Sequence, residues 1–228
     1  KNNHPFDLNS LQKFYDFNFK QYKIIKSFPI KQMKAKYKQF PSAQNSRAIY
    51  ISFILLGTVT LLPFNSILVP VDFWIQNYEP YFLSAASLTD NICNWSLALV
   101  VSFIRPKPKL VVYSALPIWF SSLVAIPLIS LIAKQSVKTI LTLVCVALCS
   151  CTNAVFFPTI LNLSTRLDPQ LAQGIWAGQG VAGLIPQILL VIMKLSFSGK
   201  LFAQTLIYFA VATAFVIFCF VPLRWLDK

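Results

Sequence analysis

The sequence predicts an all-α polytopic membrane protein with six transmembrane helices. Of its 228 residues, 56% are hydrophobic and only 12% are charged, whereas ordinary globular chains carry about 25% charged residues. The charges are also segregated, because ten of the 20 Lys and Arg residues precede Ala48. The long apolar runs that follow are of the length that crosses a hydrocarbon core of about 30 Å. The weaker alternating pattern of a membrane β-barrel is not found.

Residues 1–47 predict a basic cytoplasmic arm. This segment is rich in Lys and aromatic residues, and Asp7 and Asp16 are its only acids. No uninterrupted apolar run follows the basic residues, which excludes a secretory signal peptide. A basic and aromatic segment before a span is typical of an arm that contacts anionic lipid headgroups. A disordered tail would have the same composition. Because the sequence begins with Lys1 and not with an initiator Met, we expect it to begin inside a longer protein.

The first predicted helix covers residues 48–70. Pro63 removes a backbone hydrogen bond near its middle and predicts a kink. Leu61, Phe64 and Asn65 are three and four residues apart, so they share one face of the helix. The polar Asn65 marks this face as the one that points inward.

The second predicted helix, 82–104, carries Asp90 within an apolar segment. A carboxylate inside a span is costly and is a functional-site hypothesis by default. Asn94 follows one turn later on the same face. The alternative is that the helix begins at residue 88. Asp90 would then lie at the outer interface of the membrane, in contact with water. The remaining span would then be somewhat shorter than the usual length of about 20 residues.

Four further spans complete the predicted bundle. They are predicted at residues 110–133, 137–163, 171–193 and 201–223. In the fourth span of the chain, Asn153 is the polar side chain that we expect to face the core.

The fifth span holds four of the six glycines of the chain, Gly174, Gly178, Gly180 and Gly183. Small residues let two helix backbones approach closely in lipid, so these glycines predict a helix-packing face. Gln179 lies among them and should point into the protein. The spacing of the last three glycines also matches a dinucleotide-binding fingerprint. That motif needs a preceding strand and a βαβ unit, which this sequence does not predict.

The composition of the spans predicts neither an enzyme nor a metal site, and no cofactor. The single histidine, His4, lies in the arm, and the spans offer Asp90 without a clear second carboxylate, so no nucleophile–base pair is expected. The five cysteines lie in apolar runs without a CxxC pair, which predicts small buried side chains. The net charge of +13 is carried by the arm and loops. We attribute it to topology and lipid contact, and expect no nucleic-acid partner.

The distribution of Lys and Arg predicts the orientation in the membrane. With the amino terminus inside, 16 of the 20 basic residues lie in cytoplasmic segments. The positive-inside rule therefore predicts a cytoplasmic amino terminus. The turn at residues 105–109 is the clearest cytoplasmic loop. We expect an integral multi-pass protein of the plasma membrane.

Two motifs resemble those of the equilibrative nucleoside transporter family. Residues 56–65 read LGTVTLLPFN and are similar to the first-helix motif of the family, with Phe64 where Trp is usual. Residues 178–183 read GQGVAG and are similar to its fifth-helix motif. The two motifs occur in the order and at about the separation that the family shows. The resemblance extends from residue 48 to residue 223, which corresponds to six of the eleven helices of the family.

The resemblance implies one half of a major-facilitator-like transporter. It implies facilitated diffusion of nucleosides or nucleobases by alternating access, without a cofactor. The partners would be the small-molecule solute, the lipid bilayer and the missing carboxyl-terminal helices of the same protein. The family also uses an Asp and an Arg from that second half, so the chain as given is not expected to transport alone.

The resemblance also indicates where the solute would bind. Leu61 and Phe64 match family positions near the substrate, with the ring of Phe64 stacking where Trp would. The family has a substrate-contacting Gln on its fourth helix, but that position falls at Phe157 in this sequence. Asn153 is the candidate that replaces it. The candidate substrate-binding residues are Leu61, Phe64, Asn65, Asp90, Asn94 and Asn153.

Two other functions fit the same spans. The small-residue face on the fifth helix would also serve a non-transporting assembly subunit. Half of another solute carrier with six or more helices would share the neutral amides and the proline kinks, but not the two motifs. Uptake of labelled solute by the full-length protein separates a carrier from an assembly subunit.

Overall fold

The computed structural model describes residues 43–103, 107–197, 199 and 201–221. Within these residues every helix is α-helical and no strand is present, which confirms the all-helical prediction for this part of the chain. The chain divides into two units, Lys1–Ser46 and Arg47–Lys228, and the contacts discussed below lie in the second. Most of the predicted basic arm, residues 1–42, lies outside the described residues, as do residues 104–106, which include the first two residues of the predicted cytoplasmic turn.

Seven helices follow one another along the described chain. They are α1 (Ala43–Leu68), α2 (Val71–Asn77), α3 (Phe82–Phe103), α4 (Pro108–Ile129), α5 (Gln135–Leu167), α6 (Pro169–Ser196) and α7 (Leu201–Phe220). All except α2 overlap a predicted span. The boundary between α5 and α6 has a local cause, because the side chain of Asp168 accepts a 2.9 Å hydrogen bond from Gln170 N. Pro169 occupies the first turn of α6, where a missing N–H costs nothing.

Five of the described helices are long and apolar enough to cross a membrane. They are α1 from Arg47 onward, α4, α5, α6 and α7. This finding confirms a multi-pass membrane protein. The predicted total of six spans is not confirmed. The second predicted span corresponds to α3, which has 22 residues but is not among the five. Its polar side chains Asp90, Asn91 and Asn94 interrupt the apolar character near its middle.

The short helix α2 packs one end of the bundle through a cluster of aromatic side chains. Phe73, Trp74, Tyr78 and Phe82 are buried, and their neighbouring ring centroids lie 4.5–6.2 Å apart. Trp74 Nε1 donates a 2.7 Å hydrogen bond to the carbonyl oxygen of Ile67 near the end of α1. The aromatic rings therefore turn the chain back from α1 towards α3.

Segments from three different turns meet at this end of the bundle. Gln135 Nε2, at the start of α5, donates a 3.2 Å hydrogen bond to Asn77 O at the end of α2. Lys194 Nζ, in the last turn of α6, lies 2.5 Å from Asp72 Oδ2. The chain therefore returns to this end after α3 and α4, and again after α5 and α6.

The cysteines follow the prediction in part. All five are free; Cys145, Cys149 and Cys219 are buried, whereas Cys93 and Cys151 are half-buried. The two half-buried thiols adjoin one another, one on α3 and the other on α5. They lie closer to the surface than expected from the sequence, where only the apolar character of their segments could be judged.

Candidate functional site

Helices α1 and α6 cross at glycines on both helices. A Cβ atom added to Gly178 would lie 2.7 Å from Thr58 N and closer still to the carbonyl oxygen of Ile54. A Cβ atom added to Gly57 would lie 2.7 Å from the Cα and carbonyl carbon of Ile175. Side chains cannot be accommodated at such distances, so the two backbones touch directly. Gly57 was part of the first-helix motif but was not predicted as a packing residue.

Two of the four glycines of the predicted packing face lie at the contact with α1. Besides Gly178, Gly174 is buried, and a Cβ atom there would lie 3.3 Å from the ring of Tyr50. Among the described residues, nothing lies within 4 Å of a Cβ atom added to Gly180 or Gly183. These two glycines do not take part in the contact with α1. They lie two and five residues beyond Gly178, and a turn of about 3.6 residues places both on other faces of the helix.

Polar side chains tie the same two helices together beyond the crossing, towards the carboxyl-terminal end of each. Gln179 Nε2 donates a 3.2 Å hydrogen bond to Thr60 Oγ1, so the glutamine points towards α1 as its polarity predicts. Asn65 Nδ2 donates a 3.2 Å hydrogen bond to Ala182 O on α6. Asn65 therefore has a structural partner on a neighbouring helix.

A second polar cluster joins α3 to α5. Asp90 Oδ1 accepts a 2.5 Å hydrogen bond from Ser150 Oγ and a 2.8 Å hydrogen bond from Asn94 Nδ2. Ser150 is buried and Asp90 is half-buried. Because α3 begins at Phe82, Asp90 lies more than two turns inside the helix. The alternative in which the helix begins at residue 88 is therefore wrong.

A cavity of about 700 Å³ lies between α3 and α5. Two predicted site residues, Asn94 and Asn153, line it together with the start of α4. The amide oxygen of Asn153 is buried and has no hydrogen-bond partner among the described residues. The lining residues are Asn94, Trp95, Ala98, Val101, Pro108, Asn153, Ala154, Phe157, Pro158, Thr159, Asn162, Leu163 and Arg166.

The lining changes in chemistry along α5. Asn153 and Phe157 lie towards the middle of the helix, whereas Arg166 lies in its last turn. Arg166 Nε donates a 2.9 Å hydrogen bond to Asn162 Oδ1, which holds the guanidinium beside its own helix. The ring of Phe157 meets that of Trp176 on α6 edge to face, with the centroids 5.4 Å apart. Neutral amides and rings therefore line most of the cavity, and Arg166 places a cation in the lining at the end of α5.

The structure does not bring all of the predicted site residues together. Asp90 contacts the cavity only through its hydrogen bond to Asn94. Leu61 and Phe64 are half-buried against the apolar core of the bundle, and they are not among the residues that line the cavity. With Asn65 bonded to α6, the candidates of the first helix form a separate group from those of α3 and α5.

Most residues of this region were not predicted as site residues, among them Ser150, Trp95, Asn162 and Arg166. They acquire their roles from the pairing of α3 with α5, and a single sequence gives no direct signal of which helices pair. A partial signal exists for Ser150, since it is a polar residue on the helix that carries Asn153 one turn later.

The chain was compared with protein-family models and with curated proteins, and it matches none of either. Its function is therefore inferred from the cavity, the polar clusters and the two sequence motifs.

Proposed function

We propose that this chain is one half of a facilitative carrier that moves nucleosides or nucleobases across a membrane by alternating access. The observation that carries the proposal is the cavity between α3 and α5, in which neutral amides stand beside aromatic rings. Its volume of about 700 Å³ falls within the range of about 300–1,000 Å³ that is usual for small-molecule sites.

The lining of this cavity suits an uncharged solute that carries hydrogen-bonding groups. Asn94 and Asn153 offer amide groups, which bind such a solute without the strong hold of a buried charge. Trp95 and Phe157 offer flat apolar faces, on which a planar ring stacks favourably. Nucleobases combine a planar ring with an edge of N–H donors and acceptors, so they match both parts of the lining.

The unsatisfied oxygen of Asn153 supports a solute with an N–H group. A buried acceptor without a partner costs about 1–3 kcal/mol. A solute that donates an N–H to Asn153 Oδ1 would remove this cost on binding. The amide oxygen is therefore the group from which we expect the largest contribution to affinity.

Two further observations support a transporter half with six spans. The first is the motif resemblance, which links α1 and α6 to the equilibrative nucleoside transporter family. The second is the return of the chain to one end of the bundle after α3 and α4, seen in the Gln135–Asn77 hydrogen bond. In our proposal α3 also crosses the membrane and carries Asp90 and Asn94 towards the bundle. Further helices of the same protein would complete the carrier.

Solute uptake by the full-length protein tests the proposal. Cells with low endogenous nucleoside transport would express the protein, and uptake of labelled adenosine, uridine and adenine would be measured at matched surface expression. We expect saturable uptake of at least one of these solutes. Uptake no higher than in control cells would refute the carrier and favour an assembly subunit.

A matched pair of amide variants locates the site. Asn153→Ala removes the unsatisfied acceptor, and we expect the half-saturation concentration to rise by about fivefold or more, which corresponds to about 1 kcal/mol. Asn91→Ala removes an exposed amide on α3 that bonds only its own helix, at Ser87 O. We expect it to leave uptake unchanged. Equal behaviour of the two variants would exclude the α3–α5 cavity as the solute site.

A further inference from the structure

The carboxyl group of Asp90 belongs to a hydrogen-bond chain in which one proton has two possible acceptors. Ser150 Oγ lies 2.5 Å from Asp90 Oδ1 and 2.9 Å from Val146 O. A serine hydroxyl carries a single proton, so it can donate to only one of these oxygens at a time. The structure therefore allows two hydrogen-bond arrangements that differ in the position of the proton and share the same positions of the heavy atoms.

Each arrangement corresponds to one protonation state of Asp90. When the carboxylate is ionised, Ser150 and Asn94 both donate to Asp90 Oδ1, and short O–H···O⁻ distances of about 2.5–2.7 Å are usual for such bonds. When the carboxyl group is protonated, it donates to Ser150 Oγ, and Ser150 donates to Val146 O. Both states keep the hydroxyl and the carboxyl oxygen hydrogen-bonded. A proton can thus arrive or leave without rearrangement of the helices.

The surroundings of Asp90 do not fix its charge. Both of its hydrogen-bond partners are neutral side chains. The titratable groups on α5 are Lys138, Cys145, Cys149, Cys151 and Arg166. Cys149 lies close enough to interact with the carboxyl group. Lys138 lies 5.1 Å above the ring of Tyr78, and Arg166 bonds Asn162 at the end of the helix. On α1, which shares a shallow groove with α3, residues 51–68 include no titratable side chain. An ionised carboxylate is costly inside a membrane and its neutral form much less so.

We propose that Asp90 takes up one proton from water on one side of the membrane and releases it to water on the other. The carrier would then move a proton together with its solute, and net uptake would be driven by the proton gradient as well as by the solute gradient. Transport of this kind goes beyond the facilitated diffusion proposed above, which uses the solute gradient alone. The only bond that forms and breaks is the carboxyl O–H bond. Asn94 provides the link between the two cargoes, because it donates to Asp90 and also lines the cavity. This coupling rests on the proposed solute transport, whereas the binding of a proton to Asp90 does not.

Proton binding is measured first, without solute. The C=O stretch of protonated carboxyl groups would be followed by infrared difference spectroscopy of the purified full-length protein between about pH 5 and about pH 8. We expect a band that titrates in the wild type and is missing in Asp90→Asn. Asp72→Asn, which changes a carboxylate in the turn region of α2, should retain the band. A spectrum identical in the wild type and in Asp90→Asn would overturn the proposal.

Coupling is measured as the pH dependence of uptake. We expect wild-type uptake to increase as the outside is acidified, by up to about tenfold per pH unit, which is the limit for one titrating group. Asp90→Asn should give uptake that is independent of pH, and Asp72→Asn should keep the wild-type slope. If Asp90→Asn has the wild-type slope, or if wild-type uptake does not depend on pH, the coupling is refuted.

Exchange of solute distinguishes coupling from a structural role. Exchange between preloaded vesicles and external solute needs no net proton movement, so Asp90→Asn should retain a larger fraction of wild-type exchange than of wild-type net uptake at acidic pH. Loss of exchange in a variant that is correctly folded would make Asp90 a structural or solute-binding residue, and would overturn the proposal. Absence of uptake at every pH, with a normal infrared titration, would show that the proposed solute is wrong and would refute the coupling with it.

Discussion

Substitution of Gly178 by alanine should separate α1 from α6. The added Cβ atom would meet main-chain atoms of Ile54 and Thr58. Main-chain atoms within a helix cannot rotate away as the end of a flexible side chain can, so the whole helix must move. Gly180 is a matched control, since it lies two residues further along the same helix and has nothing within 4 Å of the added atom.

The comparison of the two alanine variants isolates the steric cost. Alanine is a better helix former than glycine by about 1 kcal/mol, and this gain applies to both positions. Overpacking of a tight contact costs about 1–3 kcal/mol. We take the upper end for Gly178, because a Cβ atom 2.7 Å from Thr58 N requires the backbones to separate. The expected difference between the variants is therefore about 3 kcal/mol, or about two orders of magnitude in the unfolding equilibrium.

The difference would be measured by denaturant-induced unfolding of the purified variants in one detergent. We expect Gly180→Ala to be as stable as the wild type or slightly more stable, and Gly178→Ala to be clearly less stable. Gly178→Leu should be worse than Gly178→Ala and should reduce the amount of folded protein in the membrane. Equal stability of the two alanine variants would show that the backbones do not touch at Gly178.

The other predictions concern the solute and the topology. Phe157→Ala in the full-length protein should weaken purine nucleoside transport by about tenfold or more, because a base in the cavity loses a stacking contact of about 1–3 kcal/mol. Phe64 lies outside the lining of the cavity, so Phe64→Ala should weaken transport less. Uptake of adenosine and adenine at matched surface expression measures this, and a larger loss in Phe64→Ala than in Phe157→Ala would place the base beside α1 instead. A cysteine introduced at Lys107 should react with an impermeant thiol reagent only after the cell is permeabilised, since the basic turn is expected to be cytoplasmic. Reaction in intact cells would reverse the orientation.

The positions of the long helices were predictable because lipid imposes a simple requirement. An apolar run of sufficient length must bond its own backbone, and a helix is the form that allows this. The helix α2 was missed for the opposite reason. Its seven residues include Asp72 and Gln76 and resemble a loop, and so short a helix forms mainly through packing of its apolar face. That packing is provided by Phe73 and Trp74, which are buried against the end of α1.

The candidate site was predictable only one helix at a time. The polarity of Asn94 and Asn153 identified them as inward-facing, and both line the cavity. Their common cavity depends on the pairing of α3 with α5, which no periodicity within either helix indicates. The same limit applies to the glycines. The spacing of Gly174 and Gly178 defined a packing face, but Gly57 on the partner helix was a single small residue without a pattern of its own.

The direct backbone contact between α1 and α6 has a mechanical consequence. Side chains that interdigitate can exchange rotamers and let two helices slip, but main-chain atoms in contact leave no such freedom. A shift of α6 by one turn along α1 would bring the side chain of Ala182 against the main chain of Ile54 and Thr58, where Gly178 now leaves room. The hydrogen bonds of Gln179 and Asn65 to α1 and α6 resist rotation about the crossing. The two helices therefore move as one rigid body. If the cavity changes the side of the membrane that it faces, the movement must occur at the contacts between this pair and the other helices.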